Sequence, residues 1–240
     1  MVKLVRLLRS NEDIVRRFAC SAVANACCDH DGNKDKFHSE NTGTDSLIDL
    51  VGSTDPNVPW RALAAIASVC KKHANNKRTF LANPTGLEAI YKLIDIIPLA
   101  AEAKAKGRAK GRAKGRAGDG ANARDAGAKS KEHQDLLTEL LQGDGDACQW
   151  AIQSLAVLSE PFHALATDDN KLLKSKFNAV ENAIPRLCVL LRTKEVSDEA
   201  KGLATAILLN VWQGALPPFV RFFSPTVCAY HSSVLKPTPS

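Results

Sequence analysis

The feature that most constrains this chain is that it repeats itself at a fixed step. Asn33-Lys34-x-x-Phe37 returns as Asn76-Lys77-x-x-Phe80, Thr42-Gly43 as Thr85-Gly86, and Leu47 and Leu50 as Ile90 and Leu93. Each pair is about 43 residues apart, the period of two- or three-helix modules that bury their apolar faces only against neighbouring copies. The step also runs backwards, pairing Ser10 with Ser53, Val15 with Val58, Ala19 with Ala62 and Ala22 with Ala65.

The apolar pattern says what the module is made of. Strand-like alternation is nearly absent, and apolar residues recur at steps of three and four. The chain is 45% hydrophobic but only 5% aromatic, and Ala is abundant. That balance favours helices packed closely through small side chains over a sheet of β-branched and aromatic residues. The fold class expected is all-α.

Each unit reads as a short, a middle and a long helix. Residues 2–10 read as the last turns of a helix, in which Leu4, Leu7 and Leu8 are apolar and Lys3, Arg6 and Arg9 point outward. Ser10-Asn11-Glu12-Asp13 offers an N-cap. A long helix then runs to about Cys28, with Val15, Phe18, Ala19, Ala22, Val23 and Ala26 on one stripe, and Asp31-Gly32-Asn33 stops it. A short helix holds Phe37, and Thr42-Gly43 turns the chain. The middle helix of Leu47, Ile48, Leu50 and Val51 ends at Gly52-Ser53. Asp55-Pro56-Asn57 starts the next long helix, through Trp60, Ala62, Leu63, Ile66 and Val69.

These residues resemble the armadillo repeat. The likeness is carried by Leu-Val-x-Leu-Leu-x-Ser at 4–10 with Ala19-x-x-Ala22-Val23-x-Asn25-Ala26, and by Leu47-Ile-Asp-Leu-Val51-Gly-Ser53 with Ala62-x-x-Ala65-Ile66-x-Ser68-Val69. It continues in Ala151-x-x-Ser154-Leu155-x-Val157-Leu158, in the run from Phe177 to Leu191, and in Ala204-x-x-Ile207-Leu208-x-Asn210-Val211. The short leading helix and turn glycine favour armadillo over HEAT repeats. The resemblance implies a right-handed α-solenoid over residues 2–97 and 132–214. The third unit is split between Leu87–Ile97 and Asp135–Leu141.

The split is filled by a low-complexity insertion, residues 98–131. From Lys104 to Lys131 it holds ten Lys/Arg against two Asp/Glu, a net of +8; the whole chain is +6, which leaves −2 for everything else. The high pI therefore belongs to one segment. From Ala103 to Gly120 the run has no large apolar residue to offset its ordering entropy, so disorder is expected. Lys104, Lys106, Arg108, Lys110, Arg112, Lys114 and Arg116 form its basic core. They suit nucleic acid through counterion release or a nuclear-localisation patch, or they are a solvated linker; no interleaved aromatics provide base stacking. Residues 215–240 read as an irregular, proline-rich tail. The chain opens in mid-repeat and neither end looks like a polar cap, as in a piece of a longer array.

In armadillo proteins the long third helices line a concave groove that holds extended peptides. Offsets of about −2, +2 and +6 from the framework alanines Ala19, Ala62, Ala151 and Ala204 transfer that groove to this chain. They select Arg17, Ser21 and Asn25; Trp60, Ala64 and Ser68; Gln149, Gln153 and Val157; and Gly202, Ala206 and Asn210. The family's backbone-binding asparagine is kept at Asn25 and Asn210. The groove tryptophan of the nuclear-import receptors is missing from all four units, which tells against an importin-like grip on Lys-rich signals. Trp60 is either a groove anchor or a residue packed on the neighbouring helix.

The resemblance implies a non-enzymatic scaffold or adaptor whose partner is another protein, presenting an extended segment. The alternatives are a nucleic-acid-associated adaptor using the insertion, or the substrate-recognition part of a larger protein such as an armadillo-containing ubiquitin ligase. There is no Walker loop and no Gly-x-Ser-x-Gly elbow. Cys27-Cys28-Asp29-His30 and His38 lack a second pair at zinc spacing, and Asp144-Gly-Asp146 lacks the rest of a calcium loop and reads as an N-cap. No cofactor is implied. Seven scattered cysteines, no secretory leader and no apolar run long enough to span a bilayer place the chain in the cytoplasm and/or nucleus.

Overall fold

The computed structural model describes residues 1–95, 147–162, 167–193 and 196–212. Every regular element among them is a helix: α1 (Val2–Leu7), α2 (Asp13–Cys27), α3 (Asp31–His38), α4 (Gly43–Val51), α5 (Pro59–Cys70), α6 (Ala74–Ala82), α7 (residues 86–95), α8 (Ala147–Ser159), α9 (Thr167–Ala179), α10 (Ala183–Arg192) and α11 (Asp198–Trp212). No described helix is long and apolar enough to cross a membrane.

The long helices pack in chain order, α2 on α5, α5 on α8 and α8 on α11. The short ones do the same, α3 on α6 and α6 on α9, while α4 lies against α5 and α6. Close approach of the long helices needs small side chains, and all four framework alanines are buried: Ala19, Ala62, Ala151 and Ala204. Buried apolar residues from Val5 to Trp212 form one continuous core.

The repeat is most visible where the chain leaves a long helix and enters a short one. After α2, Asp29 takes a left-handed backbone (φ 49°); after α5, Lys72 does the same (φ 56°). This reverses the chain at a helix C-terminus. His30 and His73 then cap α3 and α6, each accepting at Nδ1 from a backbone N–H, of Asn33 and Asn76, at 3.2 Å. Those asparagines donate back to the preceding long helix, Asn33 Nδ2 to the Ala26 carbonyl (2.7 Å) and Asn76 Nδ2 to the Val69 carbonyl (2.9 Å). One residue later a buried lysine reaches forward. Lys34 Nζ donates to the Lys71 carbonyl, and Lys77 Nζ to the Glu160 carbonyl, both at 2.9 Å. Each ammonium thus meets the electronegative C-terminal end of a long helix in the next layer.

The structure differs from the sequence reading in three local respects. Asp31-Gly32-Asn33 begins α3; the long helix is stopped by the Asp29 reversal before it. Within Ser10-Asn11-Glu12-Asp13 the N-cap position of α2 is Glu12, as that stretch allowed, and the Ser10 Oγ accepts from the Glu12 N–H (3.2 Å). Gly43 does not turn the chain but opens α4. A Cβ there would lie 2.8 Å from the Phe37 ring, and one at Gly86 3.1 Å from the Phe80 ring, so glycine serves close approach. Phe18 is 67% exposed, because the buried face of α2 runs through Ala19, Cys20, Val23, Ala24 and Cys27.

Residues on the two sides of 96–146 are packed together. Ser154 Oγ donates to the Leu63 carbonyl (2.9 Å), and Arg78 pairs with Asp169. Arg186 is only 13% exposed; it bridges Asp95 (2.7 Å) and Glu88 (3.2 Å) with its guanidinium 5.0 Å from the Tyr91 ring centre.

Candidate functional site

A cleft of about 320 Å³ opens where α2, α5 and α8 meet. It gathers Ser21 and Asn25 from α2, Trp60 and Ser68 from α5, and Trp150 from α8. The first four are residues selected from sequence by the groove offsets. They converge because offsets stepping by four lie on one ridge of a helix, and stacking α2 on α5 sets two such ridges side by side.

The polar groups here are unevenly satisfied. Ser21 Oγ donates to the Arg17 carbonyl (3.2 Å). The Trp60 indole Nε1 is enclosed and has no acceptor among the described residues. The exposed amide of Asn25 and the hydroxyl of Ser68 have no hydrogen-bond partner among the described residues. Arg61 lies with its guanidinium carbon 4.0 Å from the Trp60 ring centre and donates from one terminal nitrogen to the Asn57 carbonyl (2.7 Å). That stacking fixes the indole, so Trp60 forms a half-buried wall.

Arg17 is occupied elsewhere. Its Nε and one terminal nitrogen donate to the two oxygens of Asp55, at 2.6 and 2.8 Å. Asp55 is 5% exposed and also accepts from the Asn57 N–H (3.0 Å). Burial pushes the Asp55 carboxyl up, but the Arg17 and Asn57 hydrogen bonds and the Arg17 charge outweigh it and hold the group below its ordinary value. The hydrogen bond to Asp55 likewise keeps Arg17 more firmly protonated than usual.

Ala64, also selected by the offsets, lines the cleft too; the remaining selected residues do not. Gln149 is half-buried and Gln153 exposed on α8, while Asn210 Nδ2 on α11 donates to Ser159 Oγ (3.3 Å). Lys104, Lys106, Arg108, Lys110, Arg112, Lys114 and Arg116 lie outside the described residues, as do Asp144-Gly-Asp146, the expected insertion 98–131 and the expected tail 215–240.

Sequence reasoning missed Trp150, Arg61 and Cys28, all of which line the cleft. Arg61 and Trp150 stand one residue before the framework alanines, three before the +2 position. That is the neighbouring ridge of the same helix face, so the signal was available in the i, i+3 rule. Among the described residues no group of three His, Cys, Asp or Glu side chains is placed to hold a metal ion. Cys27 is buried, Cys28 Sγ lies against Asp29 (3.6 Å), and His30 is engaged as a cap.

No protein-family model matches this chain, and no curated protein matches it. Among solved structures, the crystal structure of an engineered protein is similar, at 16% identity and a TM-score of 0.40, covering 99% of this chain and 89% of that one. A likeness that slight carries nothing about fold or function.

Proposed function

We propose that this chain is an armadillo-type right-handed α-solenoid that acts without catalysis, as a scaffold holding an extended segment of another protein against its long helices. The fold reading is supported by the in-order packing of α2, α5, α8 and α11 and by the caps and lysine ties that recur at the sequence step. The functional reading is carried by one observation. Three polar groups without partners among the described residues, on Asn25, Trp60 and Ser68, border a single cleft walled by two tryptophans. An enclosed polar group left unpaired costs about 1–3 kcal/mol, and an extended peptide backbone offers both the donors and the acceptors that relieve it. The aromatic walls supply rigid apolar area, the usual source of binding energy at such contacts.

The test is selection of phage-displayed linear peptides on the full chain. Selected peptides are then measured on a variant carrying Asn25→Ala, Trp60→Phe and Ser68→Ala, which keeps an aromatic wall and removes the three polar groups. Affinity is expected to fall at least tenfold. Peptides binding both proteins equally well remove the cleft from the account.

A further inference from the structure

A second pocket, of about 400 Å³, lies where the α1–α2 turn meets α4 and the turn after it, and shares no residue with the tryptophan-walled cleft. Its polar lining includes Arg9, Ser10, Arg16, Asp49, Ser53 and Thr54. Ser10 and Ser53 stand one repeat apart and do the same thing. Each Oγ accepts a backbone N–H two residues on, from Glu12 (3.2 Å) and from Asp55 (3.3 Å). A hydroxyl that accepts there keeps its own proton to donate, and no acceptor among the described residues takes it. The Thr54 hydroxyl and the exposed Arg9 guanidinium also have no partner among the described residues. Arg16 is held by the Ser10 carbonyl (2.8 Å) and by an ion pair with the half-exposed Asp13, yet its Nε is enclosed with no acceptor among the described residues. Against these donors the lining offers one carboxylate, Asp49, itself unpaired among the described residues.

We infer that this pocket is a binding site for a phosphate group, free or carried as a monoester. The open guanidinium of Arg9 and three hydroxyl protons line a space whose only carboxylate is Asp49, with the cationic Arg16 beside them, so the ligand that fits is rich in acceptor oxygens, and an arginine fork matches phosphate geometry. The pocket is in the size range of small-molecule sites and has room for the residue carrying the phosphate. Asp49 selects within that class: it accepts a proton donor of the ligand, the P–OH of a monoanion or a peptide N–H beside the phosphorylated side chain, and repels a bare dianion.

The experiment titrates the ¹⁵N-labelled full chain with inorganic phosphate and, separately, with N-acetyl-phosphoserine methylamide, following the Arg Nε resonances and the amides of Glu12 and Asp55. Saturable shifts are expected. Arg9→Gln, which breaks no contact among the described residues, weakens binding about tenfold, as for the loss of a charge-assisted hydrogen bond. Asp49→Asn tightens inorganic phosphate, and Arg6→Gln on the exposed side of α1 changes nothing. Tighter binding of the phosphoserine amide points to a phosphorylated protein as the source, and equal binding to the free anion; either outcome supports the site. Shifts that never saturate, equal effects of Arg9→Gln and Arg6→Gln, or weaker phosphate binding in Asp49→Asn would each overturn it.

Discussion

Asp55 is the side chain on which the α2–α5 interface can be tested most sharply. It is nearly enclosed, receives two hydrogen bonds from the Arg17 guanidinium, and also holds the Asn57 N–H in the turn before α5. A charge-assisted hydrogen bond contributes roughly 1.5–3 kcal/mol when shielded. Arg17 is 31% exposed, so water competes for it and the pair is discounted. A coupling of about 2 kcal/mol is therefore expected between Arg17 and Asp55 in a double-mutant cycle of Arg17→Ala, Asp55→Ala and the double variant, read from urea unfolding. Asp55→Ala alone is expected to cost about 3 kcal/mol, because it also frees the Asn57 N–H.

The pH dependence has a fixed sign. The folded-state pKa of Asp55 lies below its ordinary value of 3.8, so the contribution is complete above that value and is lost as pH falls through the folded pKa. The coupling should hold from neutral to mildly acidic pH and shrink only below about 3.8. A coupling under about 0.5 kcal/mol, within ordinary additivity, would refute the argument. So would a coupling that disappears on the alkaline side. The same cycle decides the role of Arg17, whose replacement should not change peptide affinity in molecules that remain folded.

Three further outcomes follow from the geometry. Lys72 is exposed and left-handed, a conformation that penalises any side chain, so Lys72→Gly should raise stability by about 0.5–1 kcal/mol in a thermal melt; a loss would show that its side chain matters more than its backbone. Gly43→Ala should cost about 1–3 kcal/mol, since the new methyl meets Phe37 at 2.8 Å, whereas Gly86→Ala, at 3.1 Å from Phe80, should cost less because the gain in helix propensity offsets more of the crowding; the reverse order of unfolding midpoints would contradict the packing described. In a C148S/C228S background, Cys28 should react with a thiol reagent in the native protein while Cys20, Cys27, Cys70 and Cys188 wait for unfolding. Burial pushes Cys20 and Cys70 up to about 12 and Cys27 to about 11 from 9.0, so their contribution is present below pH 9.0 and is lost as pH rises through those values; native labelling of Cys70 at neutral pH would contradict this.

The helical class, the order of the elements and the buried alanines were legible because they depend on spacing alone, and spacing is written in the sequence. Five cleft residues, Ser21, Asn25, Trp60, Ala64 and Ser68, were legible for the same reason. What was not legible depends on which partner a side chain finds across layers. Arg17 occupies a groove offset, but the preference of Asp55 for a guanidinium over water is decided by how closely α2 approaches the turn before α5. Phe18 fits an apolar stripe drawn at steps of three and four, yet α2 is rotated so that Ala19 and Cys20 face inward, as close helix packing requires. Thr42-Gly43 reads as a turn because glycine commonly supplies one, and Thr85-Gly86 is its repeat. The actual use of both glycines, making room for a ring six positions earlier, carries no mark in the local sequence.

The lysine ties explain how the layers keep register although their sequence spacing is uneven. Lys34 reaches the end of α5 and Lys77 the end of α8, with 96–146 intervening only in the second case, yet the two bonds are equally long. What repeats is a donor aimed at the C-terminal carbonyls of the next long helix, not a distance along the chain. Stability alone does not account for such a tie. Lys77 is 4% exposed, has no carboxylate among its hydrogen-bond partners, and burial pulls its pKa below the ordinary value, so the ammonium is held against its desolvation cost. Replacing a buried charge by an apolar group of similar length is often neutral or better, so Lys77→Met should lie within about 1 kcal/mol of the parent in urea unfolding. Its effect should appear as faster amide hydrogen exchange at the end of α8, where the Glu160 carbonyl has lost its donor. A loss of about 3 kcal/mol or more would mean that the ammonium is a net source of stability and that register is not its main use.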